Sequence, residues 1–390
     1  MKTKRRFAAL LALLLAVSLT ACEKKPTFDT SPEFHPETDF QYANFSFSNM
    51  IAESPNGFYY FDTHYLRFAE KSTLETVSVC GKPNCTIHEK EEYRNGITVS
   101  VVQECGAFVL QGLKKHVFYY EGNLYCVEEQ IDPVTTETIF QLISISLDGS
   151  QRKNLFELQW EESIRQPIPG NYALHRGRFY YIVGDQETDP QREYDLYCYD
   201  LKSKQHTLLY EFTGTPQRLS AVGNQIYLQT TTIGDDQMHR ALYRHTISTG
   251  AWETLPEEYE QVFPTDRELL FLCLSPDESE RWLVITDREG KNPRRAELPV
   301  DSYLCAVNED YYCFFHDDGT IELFDRSTSA SAGSIPAPVK YHPRTILRIS
   351  GNKLIYFGPT QDPLGLAVLS ADLSKLGSEE FVWEPRVLEQ

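Results

Sequence analysis

The chain has 390 residues, of which 41% are hydrophobic and 24% are charged, and its formal net charge is -19. This is the composition of a globular protein, with enough apolar residues for a large core and no excess of Gly, Pro or charge typical of disorder. The negative charge argues against nucleic acid as a partner, because phosphates require a basic surface, and against broad electrostatic binding to anionic lipid.

Residues 1–21 are predicted to be a lipoprotein signal peptide. A basic stretch at residues 2–6 precedes an apolar run at residues 7–17, which is too short to span a bilayer of about 30 Å as a stable helix. The following Leu-Thr-Ala-Cys sequence ends at Cys22 and resembles the lipobox of bacterial lipoproteins. This resemblance implies that Cys22 carries a diacylglycerol and becomes the new N-terminus, anchored stably to a membrane. The alternative is an ordinary secretory signal in which Cys22 is incidental.

Residues 22–47 are predicted to be the lipidated N-terminus and a flexible tether, because charge and proline are mixed there without a sustained period. Within this stretch, four aromatic residues alternate with the two-residue period that is typical of a strand: Phe40, Tyr42, Phe45 and Phe47. Such a strand is expected to close onto the last part of the domain. No later segment is long and apolar enough for a second membrane crossing.

Residues 48–390 are predicted to form a repeating all-β domain. Each unit contains a turn followed by an aromatic-rich strand, and the turn markers are Gly122, Gly177, Gly223, Arg267, Glu309 and Gly351. Spacings of about 42 to 55 residues, with short turns such as Asp148-Gly149, are typical of a β-propeller with four-stranded blades. We interpret the strand after each marker as the first of its unit and expect about seven blades. The alternatives are a long β-sandwich array or two smaller all-β domains.

The first unit is longer than the others. The step from Gly57 to Gly122 places an insertion at about residues 80–116. This insertion contains four metal-ligand or disulfide candidates with the spacing C-x4-C-x2-H-x16-C, namely Cys80, Cys85, His88 and Cys105. Three thiolates and an imidazole suit a structural zinc ion. An oxidising compartment favours a disulfide, either Cys85–Cys105 or Cys80–Cys85, and free thiols are the third possibility. No other cofactor is expected.

The remaining cysteines are expected to be small buried hydrophobic residues. They lie inside strand patterns, at Cys126, Cys198, Cys273 and Cys313. Cys305 and Cys313 form an alternative disulfide pair on neighbouring strands.

The Cys80–His88 stretch, the lipobox and the repeated Gly-Asn turns together resemble a family of propeller lipoproteins of unknown function from Gram-positive anaerobes. Members of that family carry a Cys-x4-Cys-x-His form, whereas this chain has one more residue before His88. The resemblance spans most of the chain after Cys22 and implies a lipid-anchored propeller on the outer side of the cell membrane. It implies no reaction.

No catalytic motif supports an assignment as an enzyme. The sequence contains no G-x-S-x-G elbow, H-E-x-x-H, Walker A or G-x-G-x-x-G motif. We therefore expect an extracytoplasmic binding or scaffold protein that engages an envelope protein or polysaccharide through one propeller face. The alternative is a propeller-fold glycan lyase or hydrolase, which would require a Tyr/His/Arg group or two acids converging at one face.

Overall fold

The structure is a computed structural model. It describes residues 28–31, 33, 35–39, 51–62, 65–83, 85, 105–109, 116–131, 138–158, 165–185, 193–234, 237–265, 267–275, 279–298, 302–339, 345–359 and 366–385. The four aromatic residues at positions 40–47 lie outside this part of the chain, so the strand expected there stays a prediction.

Seven antiparallel sheets of four strands each form the seven blades of a β-propeller, and in every blade the strands follow chain order. Blade 1 has β1 (Ile51–Glu53), β2 (Gly57–Asp62), β3 (Tyr65–Glu70) and β4 (Thr76–Ser78). Blade 2 has β5 (Phe118–Tyr120), β6 (Asn123–Ile131), β7 (Thr138–Ser146) and β8 (Arg152–Glu157). Blade 3 has β9 (Arg165–His175), β10 (Arg178–Asp185), β11 (Glu193–Asp200) and β12 (His206–Thr213).

The other four blades repeat this arrangement. Blade 4 has β13 (Thr215–Val222), β14 (Gln225–Gly234), β15 (Gln237–Thr246) and β16 (Ala251–Thr254). Blade 5 has β17 (Tyr259–Pro264), β18 (Glu268–Leu274), β19 (Arg281–Asp287) and β20 (Arg294–Leu298). Blade 6 has β21 (Ser302–Val307), β22 (Tyr311–His316), β23 (Thr320–Asp325) and β24 (Ser331–Pro336). Blade 7 has β25 (Ile346–Ser350), β26 (Lys353–Pro359), β27 (Leu366–Asp372) and β28 (Glu384–Pro385).

The position of a strand within its blade explains its sequence. First strands of neighbouring blades contact one another, as β9 does with β13, so they surround the centre of the ring. Second strands such as β2 and β18 are buried along almost their whole length, because neighbouring sheets cover both faces. Outer strands such as β20 alternate between partly buried and exposed residues.

The all-β propeller prediction is confirmed, and the number of blades is seven. The interpretation of the marked strands as first strands is wrong: they are the second strands of blades 2 to 7, and the marker residues lie in the turn before them. The physical reason is that the second strand has the most continuous apolar run and therefore the strongest signal in the sequence.

The ring is closed by packing between its first and last blades. Ile51 and Phe58 of blade 1 share a buried apolar cluster with Ile355 and Phe357 of blade 7. The Lys353 side chain also donates a hydrogen bond of 2.9 Å to the backbone carbonyl of Ser72. Every pair of adjacent blades shares such a cluster, so burial of apolar surface stabilises the ring at each interface.

The two ends of the ring differ in their connections. Turns of two or three residues join first to second strands at one end, here called the tight-turn end. The second-to-third connections and the crossovers between blades lie at the other end, here called the long-connection end. Four of those second-to-third connections have six or seven residues, at 132–137, 186–192, 275–280 and 360–365. The longest crossover runs from Ser78 to Phe118.

Helical structure is limited in the described residues to a single turn, α1 (Pro36–Asp39), and a 3-10 turn at Leu373–Lys375. No helix among these residues has the length and apolar character needed to cross a membrane.

Candidate functional site

Three of the four candidates in the insertion come together in space. The Sγ atoms of Cys80, Cys85 and Cys105 all lie within 4.8 Å of one another, and we call these three residues the cysteine cluster. The Cys105 and Cys80 sulfurs are 3.9 Å apart. His88, the fourth candidate, lies outside the described residues. Among the residues that the structure describes, the cysteine cluster is the only group of three His, Cys, Asp or Glu side chains with metal-binding geometry.

The cysteine cluster joins the ends of a chain segment to the ring. Cys80 follows blade 1 directly, and Cys105 begins a short stretch whose Phe108 forms an antiparallel bridge to Tyr65 at the start of β3. Cys105, Ala107 and Phe108 are buried together. The backbone is therefore held by blade 1 both before Cys80 and after Cys105.

Close backbone approach around the cluster depends on glycine. A Cβ atom on Gly81 would lie 2.3 Å from the Cα atom of Ser150, and one on Gly149 would lie 2.4 Å from the carbonyl oxygen of Val79. Gly149 also has a positive φ of 70°, which is typical of its turn. The β7–β8 turn of blade 2 thus touches the backbone that carries Cys80, and any larger residue at these glycines would push the two apart.

The thiols of the cluster differ electrostatically. Burial raises the pKa of the Cys80 thiol, but hydrogen bonds from the backbone N–H groups of Lys82 and Gly106 outweigh it, so that its pKa lies below the usual value. Burial raises the pKa of Cys105 to about 12, and the adjacent Cys80 adds to this increase. The Cys80 thiol therefore ionises before that of Cys105.

The cysteines outside the cluster were predicted to be lipidated, buried or paired. Cys22 lies outside the described residues, so its lipidation stays a prediction. The four strand cysteines Cys126, Cys198, Cys273 and Cys313 are buried, as expected. No disulfide joins any two cysteines between Cys80 and Cys313, including the pair Cys305 and Cys313.

A second site was not found by sequence reasoning. Residues 28–31, 33 and 35–39, here called the N-terminal arm, lie on the tight-turn end of blades 2 to 4, where α1 contacts β5 and Asp39 is hydrogen-bonded to Arg176 and Gly223. The arm ends at Asp39, whose buried carboxylate accepts hydrogen bonds of 2.8 Å and 2.6 Å from the guanidinium of Arg176. The backbone N–H of Gly223 donates a further bond of 3.4 Å to the same carboxylate. The N-terminal arm, which lies within the predicted tether of residues 22–47, is thus docked on the ring.

Arg176 also holds the backbone of the arm. Its guanidinium donates to the carbonyl oxygens of Asp29, Ser31 and Glu33, at 3.0 Å, 2.8 Å and 2.6 Å. The five donors of a guanidinium suit this role, because they reach several acceptors at fixed angles. One side chain thus fixes the arm at both its carboxylate and its carbonyl groups.

Arg176 occupies an unusual backbone conformation. It lies in the β9–β10 turn with a positive φ of 48°, followed by Gly177. Non-glycine residues in this region cost roughly 1–2 kcal/mol, and the equivalent turns of blades 4 and 7 begin with Gly223 and Gly351. Blade 2 has Glu121 at the equivalent position, also with a positive φ, so the residue type at this turn position does not by itself mark the contact with the arm.

The charges around Asp39 reinforce one another. Burial alone would raise the pKa of Asp39, but the hydrogen bonds and charge of Arg176 outweigh this effect and lower it. Burial lowers the pKa of His175 to about 4, although the nearby Asp39 carboxylate opposes the change. The His175 Nε2–H donates to the carbonyl oxygen of Gly223 at 2.8 Å, and its Nδ1 lies 3.6 Å from Asp39. At neutral pH the imidazole is uncharged.

A comparable ionic group lies between blades 5 and 6. The Glu268 carboxylate accepts hydrogen bonds of 2.9 Å from each of Arg294, Arg326 and Tyr312. These bonds hold the pKa of Glu268 below its usual value even though burial would raise it. All four side chains belong to the ring, so the group ties two blades together.

Neither ionic group is an open catalytic constellation. The Glu268 carboxylate is engaged by three donors of the ring itself, and the site at His175 and Arg176 is filled by the arm. At both places the charged side chains are bound by other groups of the chain itself.

The comparisons with known proteins agree with the fold and go no further. No protein-family model matches the chain, and no curated protein matches it. Among solved structures, an oligogalacturonate lyase from Vibrio parahaemolyticus is similar, with 9% identity, a TM-score of 0.53, and coverage of 90% of this chain and 91% of the lyase. The computationally designed protein Ika8 is 11% identical with a TM-score of 0.46, covering 89% of this chain and 87% of its own.

A third similar structure is PorZ, a bacterial surface component of the type-IX secretion system of Porphyromonas gingivalis. It is 11% identical with a TM-score of 0.45, and the match covers 87% of this chain and 38% of PorZ. The similarity to the oligogalacturonate lyase, at 9% identity, supports the fold alone, so the class of protein shown is a seven-bladed β-propeller.

Proposed function

We propose that the protein is a lipid-anchored, extracytoplasmic binding or scaffold protein that engages an envelope protein or polysaccharide through the long-connection end of its propeller. The observation that carries this proposal is the docking of the N-terminal arm on the tight-turn end. The lipobox-like sequence supplies the anchor at Cys22, and the arm connects that anchor to one end of the ring.

The arm gives the ring an orientation. Cys22 lies six residues before Phe28, the first described residue of the arm. Six extended residues span at most about 20 Å. Two acyl chains on Cys22 would therefore keep the tight-turn end close to the membrane and leave the opposite end facing outward. A tether without the arm contacts would allow the ring to tumble.

The outward end is the better candidate for ligand binding. It carries the longest connection, the crossover from Ser78 to Phe118, and rigid scaffolds usually present binding residues on loops. The net charge of -19 favours a neutral or basic polysaccharide, or a protein, over an acidic polymer. The glycan lyase or hydrolase alternative gains no support from the similarity to oligogalacturonate lyase, because 9% identity carries the fold only.

The anchor is tested first, on the full-length chain expressed in a bacterial host with a clickable fatty acid. We expect the label on the wild-type protein in the membrane fraction. The variant Cys22→Ser should lose the label and leave that fraction, whereas Cys305→Ser, a change in a strand of the ring, should keep both. A labelled Cys22→Ser variant would overturn the lipidation.

The ligand is tested with the Cys22→Ser chain on a panel of cell-wall fragments and neutral polysaccharides, with the products checked for cleavage. We expect saturable binding without cleavage, reduced at least tenfold when residues 186–192 or 360–365 are replaced by a short Gly-Asn linker. Replacement of the tight turn at 351–352 with Asn-Gly should leave binding unchanged. Cleavage of a glycan would establish the enzyme alternative, and a panel without binding would direct the search to crosslinked protein partners on intact cells.

A further inference from the structure

The spacing of the sulfurs in the cysteine cluster matches that of a metal-thiolate site. Ligand sulfurs lie about 2.3 Å from zinc, so two sulfurs on a tetrahedral ion are separated by about 3.8 Å. The Cys80 and Cys105 sulfurs are 3.9 Å apart, and the Cys85 sulfur lies within 4.8 Å of both. The first pair is thus within about 0.1 Å of the separation on an ion, and the Cys85 sulfur would move at most about 1 Å closer to each of the others.

A disulfide accounts for the arrangement less well. Bonded sulfurs are about 2.0 Å apart, and a disulfide joins only two of the three. The third thiol would be left beside the bond with no function. A metal ion uses all three sulfurs, which explains why residues from two separate stretches of the chain converge on one point.

The surrounding backbone is arranged to support a thiolate. The N–H groups of Lys82 and Gly106 point to the Cys80 sulfur, one from each of the two stretches that form the cluster. Hydrogen bonds to ligand sulfurs orient and stabilise them in metal centres. The packing around Gly106 is close, because a Cβ atom at this position would lie 3.4 Å from the Cys80 sulfur and 3.3 Å from the carbonyl oxygen of Gly149.

We propose that Cys80, Cys85 and Cys105 bind one Zn²⁺ ion that fastens the two ends of the 86–104 segment to the junction of blades 1 and 2. Each thiol releases its proton to solvent when it binds the ion. Soft thiolates select zinc over magnesium or calcium, which prefer oxygen. The apolar packing of Cys105, Ala107 and Phe108 shields one side of the site. The role is structural: nineteen residues between Cys85 and Cys105 are closed into a loop.

The test is metal analysis of the full-length chain purified under reducing conditions without chelator and dialysed against zinc-free buffer. We expect one zinc per chain. Co²⁺ substitution should give a sulfur-to-cobalt charge-transfer band in the near ultraviolet. Cys85→Ser should lower zinc affinity at least tenfold, whereas the matched control Cys305→Ser, a cysteine outside the cluster, should keep wild-type affinity.

Two further measurements keep the proposal open to refutation if Cys85→Ser folds poorly. Zinc should protect Cys80, Cys85 and Cys105 of the wild-type chain from maleimide, mapped by mass spectrometry, and leave the labelling of Cys305 unchanged. The intact mass of the native chain should show no loss of two hydrogens. Zinc-free protein whose mass is lower by two hydrogens, or zinc binding that is unchanged in Cys85→Ser, would overturn the proposal.

Discussion

Two segments are added to the seven-bladed repeat, and they are attached to it by different chemistry. The N-terminal arm is held by charge, through the Asp39 carboxylate and the Arg176 guanidinium. The segment with the cysteine cluster is attached through backbone contacts and the burial of Phe108, and it brings three sulfurs together at the proposed zinc site. The blades themselves pack through apolar clusters at every interface. Acid should therefore weaken the attachment of the N-terminal arm. Removal of the proposed zinc ion, or oxidation of the thiols, should weaken the attachment of the segment with the cysteine cluster. Neither treatment should open the ring.

The largest effect is expected from Arg176→Gly. Glycine suits the positive φ of this turn, so the ring should lose no stability, whereas Asp39 would be left buried without its main partner. Breaking a buried ion pair costs roughly 3–5 kcal/mol, which is enough to release the arm. Hydrogen exchange at residues 35–39 and chymotrypsin cleavage of the arm should both become fast, at an unchanged melting temperature of the ring.

The matched control for this variant is Glu121→Gly. Glu121 occupies the same turn position in blade 2, also with a positive φ, of 45°, and is followed by Gly122. It relieves the same backbone strain, and the side-chain hydrogen bond of Glu121 is made to Tyr120 rather than to the arm. If residues 35–39 were protected from hydrogen exchange as well in Arg176→Gly as in Glu121→Gly, the role given to Arg176 would be contradicted.

The next largest effect concerns the cysteines. In reduced, metal-free protein we expect Cys80 to react with iodoacetamide at least about a hundredfold faster than Cys126. Cys80 is half-buried with a lowered pKa, whereas Cys126 is fully buried and burial raises its pKa well above the usual value. Peptide mass spectrometry measures both rates in one sample, and in denaturant the two should converge. Equal rates in the native protein would contradict the assigned environments.

Acid should release the arm. The pKa of His175 is about 4 with the arm docked, and release exposes the imidazole, which then titrates near 6.5. The released form therefore binds a proton that the docked form lacks, and docking weakens as the pH falls from about 6.5 towards 4. Asp39 acts in the same direction at lower pH, since its lowered pKa favours docking until its carboxylate is protonated.

The size of this effect between pH 7 and pH 5 is about 2 kcal/mol. Protease sensitivity of the arm, followed over this range, measures it, and His175→Asn should flatten the curve. An arm that is equally protected at both values would show that His175 stays shielded after release.

Much of the fold could be predicted from the sequence, because the strongest patterns arise where burial is most complete. Second strands such as Gly57–Asp62 are covered on both faces and so read as continuous apolar runs. Cys80, Cys85 and Cys105 could be identified as candidates from their occurrence in one insertion, and the structure brings their sulfurs together. The arm could not be predicted in the same way, since Asp39 and Arg176 lie 137 residues apart and each is an ordinary polar residue in its own context.

The smallest effect tests the start of the arm. The guanidinium of Arg178 lies 4.0 Å from the centroid of the Phe28 ring, a cation–π contact at the edge of the ion-pair site. Such contacts contribute roughly 0.5–1 kcal/mol at exposed positions. Phe28→Leu keeps an apolar side chain but removes the aromatic face, so protection of residues 35–39 should fall about two- to fivefold, far less than in Arg176→Gly. A loss as large as that of Arg176→Gly would show that apolar packing of Phe28, rather than the Arg176–Asp39 pair, fixes the arm on the ring.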